Sequence, residues 1–207
     1  MKTSIRKRLF AWVMNKGESI NRKLYGPFKQ DLFVNLKGTV VEIGPGTGIN
    51  FNYLPSGITW LGVEPNEAFH ELLLSQAKAS GIAATLLSGE ADNIPLADNY
   101  ADAVICTLVL CSVSNPSAAI TEMKRVLKPG GKLIFIEHVA APRGTMLRTA
   151  QNAFNPFNRV VADGCNCNRE TWSTIQQAGF NQVEISNYRL KGTLKFHSPH
   201  IMGFAVK

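Results

Sequence analysis

Short unbroken apolar runs recur along the chain, spaced so that a helix fits between most of them. Thr39–Ile43, Thr59–Glu64, Ala84–Leu87, Ala101–Leu108 and Lys132–Glu137 read as strands, and A-D-A-V-I-C-T-L (101–108) reads as one buried on both faces. Between them the apolar positions fall three and four apart, as on one face of a helix. Asn66 caps a predicted helix through Ala79, with Gly81 just past its end. Asn115-Pro116 opens another through Leu127, stopped by Pro129-Gly130-Gly131. Gly144–Val161 is loosely helical, and Asn168 caps a helix to Ala178 that Gly179 closes. Val183–Asn187 and Ile201–Val206 are the last two strands, joined without a helix. Ahead of the first strand, residues 1–36 read as a peripheral helical arm with a break at Gly26-Pro27.

Strands separated by helices predict right-handed βαβ units and a mostly parallel sheet. The expected fold is α/β: a Rossmann-like, doubly wound sheet of seven strands with an antiparallel edge strand and helices on both faces. Residues 1–36 are expected to form an N-terminal arm or cap, and residues 37–207 the main domain.

Charge sharpens that division. Residues 1–23 hold seven of the 22 basic groups and one of the 15 acidic ones, so 15 basic and 14 acidic groups are left for the remaining 184 residues. The body is near neutral, which argues against a nucleic-acid partner, since such proteins spread positive charge over a face of the fold. In the arm, Ile5, Leu9, Phe10, Trp12 and Val13 interleave with the cations at roughly helical spacing. Two readings stay open: a capping helix with a solvated basic face, or a peripheral contact with an anionic membrane. Leu9–Met14 is too short for a secretory h-region, and no apolar run reaches the roughly 20 residues that span a bilayer. A cytoplasmic location is the expectation. Cys106, Cys111, Cys165 and Cys167 are spaced C-x4-C and C-x-C, which gives neither a disulfide framework nor a zinc finger. Reduced thiols and no metal are expected.

The first strand runs into T-V-V-E-I-G-P-G-T-G-I-N-F (39–51), with Gly44, Gly46 and Gly48 on alternate positions. Such a loop lets backbone come close to a ligand. No Lys follows Gly48, so it is not a nucleotide P-loop, and Ile49 stands where a dinucleotide loop needs its third glycine. Glu42, two residues before the loop, would repel a phosphate and attract an ammonium. Glu64 closes the second strand, where an acid accepts from ribose hydroxyls. Glu90, in G-E-A-D at the end of the third strand, suits an exocyclic adenine amine, with Ile94 or Leu96 beside the ring. Ribose, adenine and an ammonium tail without phosphate describe S-adenosyl-L-methionine.

V-V-E-I-G-P-G-T-G, G-V-E-P-N, G-E-A-D-N-I-P-L, D-A-V-I-C-T-L and R-V-L-K-P-G-G-K-L follow one another between about residues 40 and 137. In that order they resemble the motifs of a class I S-adenosylmethionine-dependent methyltransferase. The resemblance implies cofactor contacts at Glu42, Gly44, Pro45, Gly46, Thr47, Gly48, Glu64, Pro65, Asn66, Glu90, Ala91, Thr107 and Leu108. Pro45 replaces the Cys or small residue of many relatives and removes one backbone donor. Glu90 stands where the family often has Asp.

C-T-L-V-L-C-S-V (106–113), I-E-H-V-A-A-P (136–142), A-D-G-C-N-C-N-R-E-T-W (162–172) and S-P-H-I-M-G-F-A-V-K (198–207) narrow the resemblance to the microsomal methyltransferase-like thiol methyltransferases of animals and their bacterial relatives. Those animal proteins carry a long apolar N-terminal anchor, where this chain has the short basic arm. The resemblance implies methyl transfer to the sulfur of a small thiol by in-line displacement, which needs the thiolate. His138, after the fifth strand, is the first candidate base. Asp163 is the second, as base or as orienter of His138, and each has a bland alternative as a hydrogen-bonded strand-end or turn residue. Cys111, Cys165 and His200 are candidate acceptor-site residues. Three other readings remain: N- or O-methylation of a small molecule or phospholipid headgroup, a cofactor-binding scaffold without turnover, and, remotely, a nicotinamide-dependent oxidoreductase.

Overall fold

A computed structural model describes residues 5–207, and of Arg6 only the backbone. Residues 1–4 of the arm, Lys2 included, lie outside the described residues. Seven strands build one sheet in the order β3-β2-β1-β4-β5-β7-β6. They are β1 Thr39–Ile43, β2 Thr59–Val63, β3 Ala84–Leu87, β4 Ala101–Thr107, β5 Leu127–His138, β6 Gln182–Arg189 and β7 Pro199–Val206. The first five are parallel, and β7 runs antiparallel to both β5 and β6. The antiparallel strand therefore sits one place in from the edge.

Six helices cover the sheet: α1 Ile5–Lys16, α2 Glu18–Phe33, α3 His70–Ala79, α4 Pro116–Val126, α5 Met146–Val161 and α6 Thr171–Gln177. Strand alternation divides their packing. Val41 and Ile43 of β1 enter the apolar layer that contains Ile120 and Met123 of α4 and Ile175 of α6. Val40 joins Phe33 of α2, Leu73 of α3 and Trp60 in the layer on the other side.

Local chemistry sets most element ends. Asn115 accepts from the amide of Ala118 with Pro116 at the first helical position, and Asn66 accepts from Ala68 at the short 3-10 turn that leads into α3. The expected cap of α6 differs. Asn168 donates to Asn152 instead, and Glu170 precedes the helix with no side-chain cap, because Arg143 and Arg148 hold its carboxylate at 2.8 and 2.9 Å.

The arm breaks at Gly17, and α2 continues through Gly26-Pro27. Pro27 forfeits a backbone hydrogen bond, but Tyr25, Gly26, Lys29 and Phe33 of the same helix are buried, and that packing holds it. A Cβ on Gly26 would meet Tyr53 Oη at 2.8 Å, so glycine lets the helix close on that ring. The arm is thus packed on the body, not peripheral. The last correction concerns β5, which starts at Leu127 and takes in Pro129-Gly130-Gly131 across a register shift opposite Ala101 and Ala103. Among the described residues, no helix is long and apolar enough to cross a membrane.

Candidate active site

Strand order reverses between β1 and β4, and a parallel sheet takes its ligand at the carboxyl ends beside such a switch. A cavity of about 590 Å³ lies there, floored by the glycine loop and covered by residues of α1 and α2. Gly44, Gly46 and Gly48 all have left-handed φ, at 60°, 57° and 81°. Their surroundings differ. A Cβ on Gly44 would meet Val109 at 2.7 Å, and one on Gly48 would meet the Phe51 ring at 2.9 Å. Around a Cβ on Gly46 there is nothing within 4 Å. The outer two glycines serve the protein's own packing, while Gly46 opens a cradle to the cavity.

Of the predicted cofactor residues, all but Glu42 and Gly48 line this cavity. Glu64 accepts from the amide of Gly46 at 3.0 Å and from that of Asn66 at 2.8 Å, which couples the loops after β1 and β2. Burial raises its pKa, and those two amides pull the other way. Leu108, just after β4, holds φ at 59°, a strained conformation for a leucine that recurs at functional sites.

Glu42 points the way Val40 points, into the helical layer rather than out of the strand end. Asn50 Nδ2 donates to one of its oxygens at 2.7 Å and Trp60 Nε1 to the other at 2.9 Å. Burial raises the Glu42 pKa, and these bonds oppose that rise. Gly48 lies behind the loop, against Phe51 and Leu73.

Two charges that sequence reasoning missed reach the wall from α2. Glu18 has one buried oxygen, Oε1, without a hydrogen-bond partner. Lys29 is 2% exposed, donates to Asn21 at 3.1 Å, and has its pKa pushed down to about 8 by burial, with Glu42 and Glu18 opposing. A signal for Lys29 was available: Tyr25, Lys29 and Phe33 are spaced by four, on the buried stripe of α2.

The other end of the cavity is formed by Val109, Ser112 and Val113 from the turn after β4, Tyr25 from α2, and Asp163. Glu137 sets that turn, accepting from the amides of Val109 and Leu110 at 2.9 and 3.0 Å. Burial pushes the Glu137 pKa up to about 8. Asp163 sits on the wall in a left-handed turn, φ 46°, before Gly164.

Behind this wall His138 Nε2 lies 2.8 Å from Cys165 Sγ, and Cys111 joins them, the three donor atoms all within 4.8 Å of one another. His138 Nδ1 is buried without a partner. The hydrogen bond with Cys165 holds the Cys111 thiol well below its usual pKa against the penalty of burial, and His138 adds to this. Cys165 is pushed up in return, first by that shared bond. Burial lowers the His138 pKa, but the Cys111 charge, the hydrogen bond with Cys111 and the Glu137 charge together outweigh it and leave it raised. His138, Cys111 and Cys165 are thus brought together just outside the cavity, with Asp163 on its wall. His200 stands apart from the cavity lining and bonds Tyr25 Oη at 2.9 Å. Cys167 faces away and donates toward Gln151 O and Asn155 Oδ1.

A methyltransferase domain family matches residues 41–135 of the chain. Thiol S-methyltransferase TMT1B of Homo sapiens is 37% identical over 197 residues, 93% of this chain and 80% of that protein. Thiol S-methyltransferase TMT1A of Homo sapiens is 32% identical over 212 residues, 97% of this chain and 87% of that protein. The solved structure of an S-adenosylmethionine-dependent methyltransferase from Thermotoga maritima shares the fold, with a TM-score of 0.72 at 22% identity across 98% of both chains.

Proposed function

The chain belongs to the methyltransferase family that contains those two human proteins, and from that membership we propose that it moves the methyl group of S-adenosylmethionine onto the sulfur of a small thiol. One observation carries the acceptor class. Identity to the thiol S-methyltransferases extends over 93% of this chain, so it includes the segments after β5 that border the far end of the cavity.

The cavity fits the cofactor. Gly46 offers an open cradle, and the unpartnered Glu18 Oε1 and buried Lys29 amine offer opposite charges to an amino-acid tail. When bound, S-adenosylmethionine supplies an electrophilic methyl on a sulfonium. Glu64 accepts from ribose hydroxyls with the lone pairs its two amides leave free. Glu90 and Ala91 stand at the adenine end, while α1 and α2 exclude water from above. Asp163, on the wall at the acceptor end, takes the proton of the incoming thiol. His138 stands one layer back, against Cys165.

Release of S-adenosylhomocysteine with an alkyl thiol, beside an amine, a phenol and phosphatidylethanolamine vesicles, tests this. Turnover confined to the thiol is expected, and activity on amine or vesicles alone defeats the reading. Asp163→Asn keeps the left-handed turn, which Asn tolerates, and is expected to lower kcat/KM roughly 100-fold or more, as loss of a general base does.

A second reading concerns location. Ile5, Leu9, Trp12 and Val13 are exposed on α1, at 85%, 60%, 58% and 51%, among basic residues. That apolar and cationic face supports a cytoplasmic protein that touches an anionic membrane peripherally. Co-sedimentation with anionic but not neutral vesicles is expected, and no sedimentation with either rejects it.

A further inference from the structure

We propose that Cys111, His138 and Cys165 form a three-donor site for a zinc-type cation, with the fourth position left for the sulfur of the acceptor. The inference rests on the thiol reading above. The three residues are 2%, 7% and 8% exposed, and among the described residues no carboxylate joins the cluster. Two thiolates and an imidazole are a soft donor set that suits zinc and disfavours magnesium or calcium. Zinc bond lengths place tetrahedral donors roughly 3.5–3.8 Å apart. The donor atoms lie within 4.8 Å of one another, and the His138–Cys165 contact of 2.8 Å has to open by under about 1 Å.

The donors rest on ordered backbone. His138 ends β5, and Glu137 beside it fixes the Val109–Leu110 turn that leads into Cys111. The Asn166 amide and side chain both donate to Cys111 O, at 2.9 and 3.1 Å, which ties the two cysteine segments together. Asn158 holds Cys165 O at 2.8 Å. Three protein donors with one open position is the pattern of catalytic rather than structural zinc. The cavity is one residue away: Ser112 follows Cys111, Asp163 lies two before Cys165, and both line it.

Both cysteines lose their protons to solvent as the cation binds. The acceptor thiol then binds through sulfur, its S–H bond breaks, and the proton passes to Asp163 on the cavity wall, so the thiolate forms near neutral pH. As the new sulfur–methyl bond forms, the sulfonium carbon–sulfur bond breaks, and two neutral thioethers leave.

The test uses the full chain purified without chelator: metal content by mass spectrometry, then cobalt(II) titration of the stripped protein. One equivalent is expected in the wild type and in Cys167→Ser, with a sulfur-to-cobalt charge-transfer band that shifts on adding an alkyl thiol. Cys111→Ser and Cys165→Ser are expected to lose more affinity than the roughly 10- to 100-fold that removing an outer partner costs. Calorimetric binding of S-adenosylhomocysteine reports whether each variant is folded. Less than stoichiometric metal in the wild type overturns the proposal whatever the variants do, as does undiminished cobalt binding by folded Cys111→Ser. Full-rate thiol turnover by metal-free protein overturns the site and leaves the thiol reading standing. A thiol-sensitive cobalt spectrum without thiol turnover supports the site and sinks methyl transfer to thiols.

Discussion

Gly46 and Gly48 share a backbone conformation and differ in their surroundings, so the same substitution has two outcomes. Gly46→Ala meets nothing within 4 Å and carries only the left-handed backbone cost, about 1–2 kcal/mol. Its methyl fills the ligand's space, so S-adenosylhomocysteine binding falls far more than stability. Gly48→Ala adds a clash with Phe51 at 2.9 Å, for roughly 1–3 kcal/mol more, and is expected to lower the melting temperature further. Melting curves with and without ligand separate the two, and equal loss of binding at equal stability defeats the assignment. The charges on α2 make a second pair. Glu18→Gln and Lys29→Met each remove one charge from the cavity wall. KM for S-adenosylmethionine is expected to rise roughly 10- to 100-fold in each, as 1.5–3 kcal/mol for a charged hydrogen bond implies. Lys29→Met also relieves a buried amine and is expected not to lower stability. His200 gives a pH signature. Its Nδ1 donates to Ser198 O at 3.1 Å, so Nε2 accepts from Tyr25. Burial lowers its pKa to about 4, with Ser198 opposing and His138 and His197 adding. An unfolded imidazole titrates near roughly 6.5. As pH falls the unfolded chain takes the proton first, so stability present above about 6.5 is lost toward about 4. Melting temperature is expected to fall more steeply over that window in the wild type than in His200→Gln, and parallel slopes defeat the argument.

Helices α1 and α2 were expected as an arm or cap, and residues of both line the cavity. Net charge read the solvated face of the arm and was silent about the buried one, where Tyr25, Lys29 and Phe33 recur every fourth residue. Local rules misled at Pro27 and at Asn168 for one reason: packing on Tyr53 and the Arg143–Glu170–Arg148 cluster outweighed them. The glycine loop and the strands were legible because their signals are local. Glu42 was legible as an acid at a strand end, but its direction follows from alternation with Val40 and from Trp60 on the neighbouring strand. If α1 and α2 cover the ligand, S-adenosylhomocysteine is expected to slow hydrogen exchange in residues 5–33 well beyond any change in β1. Exchange that slows only in the glycine loop would place the ligand without the helices.

At the scale of the molecule, alternating runs and helical segments foretold the layered sheet, since they report burial directly. Cys111, His138 and Cys165 were each legible as acceptor-side candidates, but the meeting of their donor atoms within 4.8 Å depends on how the β4 turn, the end of β5 and the segment after α5 converge. The sheet order carries one more consequence. The edge strand β6 has β7 as its neighbour and does not touch β5. β6 precedes β7 in the chain, so during synthesis it leaves the ribosome with no strand to pair with. At roughly 5–20 residues per second that interval lasts on the order of a second or more. Until β7 docks, β5 has one unpaired edge and β6 has both. Loss of residues 199–206 would therefore release two strands rather than one.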